Sequence, residues 1–494
     1  MVTGVVAALF GGFLPVVSLA VLLCLVAAST SQAVFGITGS LVVVAAVLSF
    51  FLMNRFDEGL ALAVGGVKMK ATFWFTLLCV AALAVRVGLL RGDSSRRAVA
   101  VEQPRKWLTS CWVLFAGLGV LSIGLNHTID RHVTGRYLPG ELLALLAICT
   151  PVAFAVLIPL SNLTRARTLL CLRVLVLLGG LSGFIMAAFG LLPGRLLALL
   201  GWTGATGGTL DLIRGRLPMG HANTVAAVML LLMPPALMGG LVGRNGAWRL
   251  VHLGCAALMF CGVLFSLSRS ALLCMVLIVA ATFAQFFLTQ KAWRRAAALL
   301  ISVFLGLGLI GTAGYLFSRY DFSRFWSRGY FEDASVERRA NSMLTALAVW
   351  RDHPVLGAGP DSVYPRFELR PGWTPPTADQ IGPVVYYRGR ITAADPHNLY
   401  LDLLAEFGVL GSAAFAGILF SAMVALFEAW RHPRADEFER RTLAALMLGI
   451  VAFLMIGMFA SVLITTLRAN VVFWIFVGLS LRFAVLATRS QAPT

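Results

Sequence analysis

Stretches of about 20 apolar residues, separated by short polar breaks, recur along almost the whole chain, and each is long enough to cross a bilayer as an α-helix. Thirteen candidates run at about 5–27, 33–53, 71–90, 107–125, 141–162, 168–190, 222–243, 250–266, 271–288, 297–317, 399–427, 442–466 and 470–488. In lipid every peptide group must find its partner within the protein, so such segments are helices, and a series of them makes a bundle. Composition agrees: 59% of the 494 residues are hydrophobic, only 13% are charged, and the mean hydropathy is +0.86. A water-soluble domain carries about 25% charged residues. Too few charges remain to coat a soluble body, which excludes a multidomain soluble enzyme as well as a disordered or fibrous chain. The expected fold is all-α, a polytopic helical bundle. No basic residue precedes Arg55, so the first apolar stretch reads as a retained span, not a cleaved leader.

The net charge of +18, with 36 of the 40 basic residues being Arg, would point to nucleic acid in a soluble protein. In a membrane protein basic connections set orientation instead. The connections 91–106, 163–167, 243–249, 289–296 and 428–441 hold 16 Lys or Arg, whereas 126–140, 191–221, 267–270 and 467–470 hold 7. The first set is expected in the cytoplasm together with the C-terminus, and segment 318–396 then faces outward. Thirteen spans would place the N-terminus outside and twelve inside; region 1–90 lacks the charges that would decide. The chain thus divides into an N-terminal transmembrane bundle (1–317), a large outward loop (318–396) and C-terminal transmembrane helices (397–494).

The outward loop is the compositional exception, with 10 Arg and 9 acidic residues in 79 positions. Loops of this length are usually functional. Residues 336–351 read as an amphipathic helix with Met343, Leu347 and Trp350 on one side, lying on the membrane surface or against the bundle and stopped by Asp352–Gly359. All eight cysteines lie in apolar stretches and read as small hydrophobes. No phosphate-binding loop, dinucleotide fingerprint, HExxH or Cys/His cluster occurs, so nucleotide hydrolysis, redox chemistry and a zinc site are not expected, and no cofactor is.

Three stretches carry candidate chemistry. In Asp395–Gly411, Asp395 suits a helix cap and Pro396 the first turn, which puts His397 at the outer end of the next span. A helix N-terminus disfavours an imidazolium, so this His tends to remain neutral and able to accept a proton. Asn398, Asp402 and Glu406 follow at four-residue spacing and form one polar stripe, which must face the bundle interior or a water-filled cavity. That stripe serves either as glue between helices or in function. The break Ser266–Ser270 puts Arg269 at the outer boundary, as a headgroup anchor or an anion ligand. Arg214 and Arg216, beside a Gly/Pro turn before an outward-starting span, form either a phosphate clamp or interfacial anchors. Arg86, Arg173 and Arg482 lie a turn inside the cytoplasmic boundary and read as snorkelling side chains.

These stretches resemble the O-antigen ligase superfamily, which includes O-antigen ligases, O-antigen polymerases and protein O-oligosaccharyltransferases. The resemblance rests on Ser268-Arg269, on Trp350–Gly359 with its His-Pro-Val-Leu-Gly-Ala-Gly ending, and on His397-Asn398 followed by Glu406, Gly408 and Gly411, over about 260–415. It implies about 12 transmembrane helices and an active site on the periplasmic face of a Gram-negative inner membrane. A glycan carried on undecaprenyl pyrophosphate would move to an acceptor, which for a ligase is a sugar hydroxyl of lipid A-core oligosaccharide. His397 would be the general base, and Arg269 with Arg216, or Arg214 in its place, would hold the pyrophosphate; Asn398, Asp402 and Glu406 would support them. The donor is already activated, so neither ATP nor a metal is needed, and attack opposite the leaving group inverts the anomeric centre. Ligase is the preferred member on overall organisation. The reading from another class is a transporter or flippase for a lipid-linked anion.

Overall fold

The computed structural model describes residues 36–51, 62–64, 67–69, 71–89, 99–129, 138–191, 222–243, 245–266, 268–288, 334–360 and 397–489. In chain order they form α1 (Gly36–Phe51), β1 (Leu62–Val64), β2 (Val67–Met69), α2 (Ala71–Leu89), α3 (Val99–Ile129), α4 (Leu138–Leu160), α5 (Arg165–Leu191), α6 (Ala222–Val242), α7 (Gly246–Phe265), α8 (Arg269–Leu288), α9 (Ala334–Asp352), α10 (Leu399–Arg431), α11 (Glu437–Gly457), α12 (Val462–Thr465) and α13 (Leu467–Thr488). The fold is all-α apart from the small antiparallel ribbon of β1 and β2. Eight of the described helices are long and apolar enough to span a membrane, and shorter apolar helices occupy Thr38–Phe50, Thr72–Gly88 and Ser270–Phe286. Eleven of the thirteen apolar stretches are therefore helices; 5–27 and 297–317 lie outside the described residues.

Pairings give the helix directions. Near the start of α13, Asn470 donates to the carbonyls of Ala147 and Ile148 (3.4 and 3.5 Å), and three turns on Arg482 reaches Pro159 and Leu163, so α13 runs parallel to α4. Arg173 lies 4.8 Å over the Trp248 ring and Gly183 abuts Leu258, so α5 and α7 run parallel. Short connections reverse α4 into α5, α6 into α7, α7 into α8 and α10 into α11. Consequently α4, α6, α8, α10 and α13 all begin at one end of the bundle, the upper end, where α3, α5, α7 and α11 finish. The start of α3, the ends of α4, α6, α8 and α10 and the starts of α5, α7 and α11, which border the more basic set of connections, lie at the opposite, lower end, so the charge asymmetry of the sequence is also an asymmetry of the bundle.

α13 is the central helix, buried over almost its whole length, with Trp474, Phe473 and Phe476 fully enclosed. Glycines let its neighbours approach: Gly183 meets Gly262 across α5 and α7, and Gly449 of α11 meets the Leu231 carbonyl of α6. Leu78, Val113, Leu114, Leu273 and Phe420 point outward, as lipid-facing residues do.

Arg482 corrects an expectation. It does not snorkel but is buried, and its guanidinium donates to the carbonyls of Leu163 (2.6 and 2.8 Å) and Pro159 (3.1 Å). These carbonyls belong to the end of α4 and the turn after it, where the helix has no partners of its own. At the same lower end Asp436 and Glu439 close a capping box on α11, and Arg165 bridges to both (3.4 and 3.1 Å).

Candidate functional site

α10 organises the site. Its start is fixed by Asn398, whose side-chain oxygen accepts from the backbone N–H groups of Tyr400 and Leu401 (3.0 and 3.1 Å), and whose amide donates to the Met458 carbonyl at the end of α11 (3.1 Å). The Tyr400 hydroxyl donates to the Leu454 carbonyl (2.9 Å). The cap is therefore Asn398 and not Asp395, which lies with Pro396 outside the described residues. An amide can accept from the new helix and donate to α11 at once; a carboxylate can only accept.

His397 stands one residue before the cap, half-buried, with φ +52; among the described residues it is the only non-glycine in the left-handed region. His tolerates this conformation better than branched residues do, and residues held there cluster at functional sites. Asp402 and Glu406 follow on the inward face of α10, 1% and 0% exposed, as their spacing predicts.

Two residues past Glu406 the helix breaks. Gly408 has φ +63 and ψ −170, so α10 consists of a nine-residue upper piece, Leu399–Phe407, and a long lower one. A break inside a membrane bundle strands carbonyls above it and N–H groups below. Residues 354–359, which follow α9, fill the gap with their own backbone. Ala358 and Gly359 donate to the carbonyls of Ala405 and Glu406 (2.8 and 2.9 Å), and the N–H groups of Val409 and Leu410 donate to Pro354 and Val355 (2.9 and 3.2 Å). The approach requires glycine on both sides: a methyl on Gly357 (φ +71) would collide with the Glu406–Phe407 peptide, and one on Gly408 with the Val355 carbonyl.

The amphipathic helix expected at 336–351 is α9, and it packs on α10, not on a lipid surface alone. Its most buried side is Ser342, Ala346 and Val349, and Ala346 and Val349 form a small separate core with Ala358 and Ala405; Met343, Leu347 and Trp350 flank that side, half-buried.

The fourth component comes from α3 and was not foreseen. Asn126 donates to the Gly357 carbonyl (2.9 Å), as does the Ser122 hydroxyl (3.2 Å), and the Asn126 amide also bonds the Ser122 hydroxyl and carbonyl (3.1 and 2.8 Å). Both residues are buried. The signal available in sequence was a polar pair four apart in an apolar helix, read instead as the end of a span. Two further ionisable residues at the upper end were also missed: Glu141 in the first turn of α4 and Arg468 in the first turn of α13, 5% and 4% exposed.

Arg269 is the first residue of α8, whose start is capped by the Ser268 hydroxyl accepting from Ala271 N–H (3.3 Å). It opens its helix at the same upper end as His397, and α8 and α10 both pack on α11. Arg214 and Arg216 lie outside the described residues, although α5 ends and α6 begins at that end. The seven described cysteines are free thiols within helices, and among the described residues no group of three or more His, Cys, Asp and Glu could hold a metal.

No curated protein matches the chain. Residues 254–416, which run from within α7 through Arg269, the docked segment and His397 to just past the break in α10, match the family model described as O-Antigen ligase.

Proposed function

We propose that the protein is an O-antigen ligase of the inner membrane. It would transfer a glycan from undecaprenyl pyrophosphate to a sugar hydroxyl of lipid A-core oligosaccharide at the periplasmic face, with the C-terminus in the cytoplasm. The family match supports a glycosyltransferase of the ligase and polymerase type. The observation that carries the finer reading is His397: a left-handed residue at the head of α10, inside the matched stretch and at the same bundle end as Arg269.

In this reading the His397 imidazole takes the proton of the attacking hydroxyl as the new glycosidic bond forms. The old bond to the pyrophosphate breaks, and the charge that grows on the leaving group falls to Arg269 and to Arg216 or Arg214, whose guanidinium groups stay charged at all working pH. Displacement from the opposite face inverts the anomeric carbon. Asn398 fixes the backbone beside the base, and the buried carboxyl groups of Asp402 and Glu406 stand on the same face below it. No metal or nucleotide has a step in this scheme.

The test is transfer by the purified chain from lipid-linked glycan to lipid A-core. His397→Ala is expected to lower the rate by about 10²–10⁴-fold; transfer at the wild-type rate would sink the general-base role. Supplying a second lipid-linked glycan or an acceptor protein instead distinguishes the ligase from a polymerase or a protein O-oligosaccharyltransferase.

The break in α10 favours a second reading, a flippase for the lipid-linked anion, because transporters build substrate sites at broken helices. Against it, the peptide groups freed at Gly408 are taken up by residues 354–359. Movement of the lipid across vesicles, with no joining to any acceptor, would favour the flippase.

A further inference from the structure

We propose that Ser122 and Asn126 are positioning residues for the transfer: by clasping the Gly357 carbonyl they hold residues 354–359 in the gap of α10, and so set where His397 stands. The inference rests on the reading of His397 as the base.

The upper piece of α10 is joined to the rest of that helix by one glycine; Leu399, Leu403 and Phe407 pack it into the main core, and backbone hydrogen bonds tie its two extremities. At the top, Asn398 and Tyr400 tie it to α11. At the bottom, its last carbonyls, those of Ala405 and Glu406, are bound by Ala358 and Gly359. Residues 354–359 are therefore the lower bearing of a nine-residue rod that carries His397 at its head. The bearing is itself anchored in two ways. On one side α9 leads into it through helical and turn hydrogen bonds, His353 N–H to the Val349 carbonyl (3.1 Å) and Gly357 N–H to the His353 carbonyl (3.0 Å). On the other side the Gly357 carbonyl points away from α10 and is met by Ser122 and Asn126 of α3.

Removing the clasp would leave that carbonyl without donors in a site closed to water, a cost the segment can avoid by leaving the gap. The rod would then keep its upper ties and its apolar packing but lose the hydrogen bonds that fix its lower end. About 13 Å long, it would turn about its upper ties, and a turn of about 10° there swings an imidazole nitrogen about 6 Å from the pivot by about 1 Å. Misplacing a catalytic group by about 1 Å can cost on the order of 100-fold in rate. The clasp thus acts on catalysis through geometry, without either residue touching substrate.

Asn126→Asp keeps the shape of the side chain and removes its donors, and Ser122→Thr keeps the hydroxyl. Steady-state transfer by the full chain and hydrogen exchange of the peptides covering 354–359 and 405–410 are measured on these two variants, on Ser122→Ala and on the double alanine variant. Expected are a fall in kcat of roughly 10- to 100-fold for Asn126→Asp and for the double variant, a KM for lipid A-core within about twofold of wild type, faster exchange in both peptides, and near wild-type behaviour of Ser122→Thr. Should the double variant fail to fold, Ser122→Ala and Asn126→Asp carry the comparison. A folded Asn126→Asp or double alanine variant with unchanged kcat, or with unchanged exchange at 354–359, overturns the clasp. A wild-type chain that joins no glycan to any acceptor overturns the functional reading instead, while the exchange measurement still reports on the clasp alone.

Discussion

At the scale of single residues, the polar side chains inside this bundle engage backbone more often than one another. Arg482 illustrates the cost of removing one: its guanidinium supplies three hydrogen bonds to two carbonyls at the end of α4. Arg482→Ala is expected to destabilise the protein by at least about 2 kcal/mol, since buried carbonyls are left unmet, and Arg482→Lys, a single ammonium, by less. Thermal unfolding in detergent gives the comparison. Asn398→Ala removes a cap worth about 1 kcal/mol and the tie to Met458, whereas Asn398→Asp keeps the cap and loses only the tie, so the aspartate variant should lie between wild type and alanine. Sequence alone identified Arg482 as a charge near a boundary, Asp395 as the cap of the next helix and Asn398 as the first residue of a polar stripe. Which acceptor caps, and whether an Arg points to headgroups or to a carbonyl, depends on α11 and α4, which are distant in the chain. The inward stripe of Asp402 and Glu406 was legible because it depends only on helical spacing and on the expense of ionisable groups in lipid.

Elements show the same division. Every apolar stretch inside the described residues is a helix, because length and hydropathy decide that locally. The break in α10 follows a different logic. Gly408 lies within a run of good helix formers, and nothing nearby announces a φ of +63; the cause is residues 354–359, whose backbone replaces the lost hydrogen bonds. Gly357 and Gly408 were visible as glycines in the blocks 353–359 and 397–411, but their mutual contact was not. Gly408→Ala is expected to cost about 1–2 kcal/mol for the left-handed backbone alone, and more once the methyl meets the Val355 carbonyl. Gly254→Ala, within α7 and with open space around its Cα, tests whether the penalty is specific to the break. A Gly408→Ala protein as heat-stable as wild type would contradict the requirement for glycine.

For the whole molecule, the sorting of basic connections to one end gives a direct expectation of orientation. An alkaline phosphatase fused after Arg489 should be inactive, and one inserted within 361–396 active; the reverse pattern would invert the proposed topology and remove the site from the periplasm. The bundle and its polarity were readable from charge and hydropathy because both are summed over many residues. The arrangement around His397 was not, since it joins α3, residues 354–359, α10 and the end of α11. This has a consequence for biosynthesis. The clasp joins residues 235 positions apart, and α9 and its extension leave the ribosome before the helix they must enter. The upper piece of α10 then reaches the membrane with its last carbonyls unmet, and only a segment that has already crossed can meet them. In the proposed orientation, closing the break therefore takes a polypeptide strand that returns from the outside into a helix made after it.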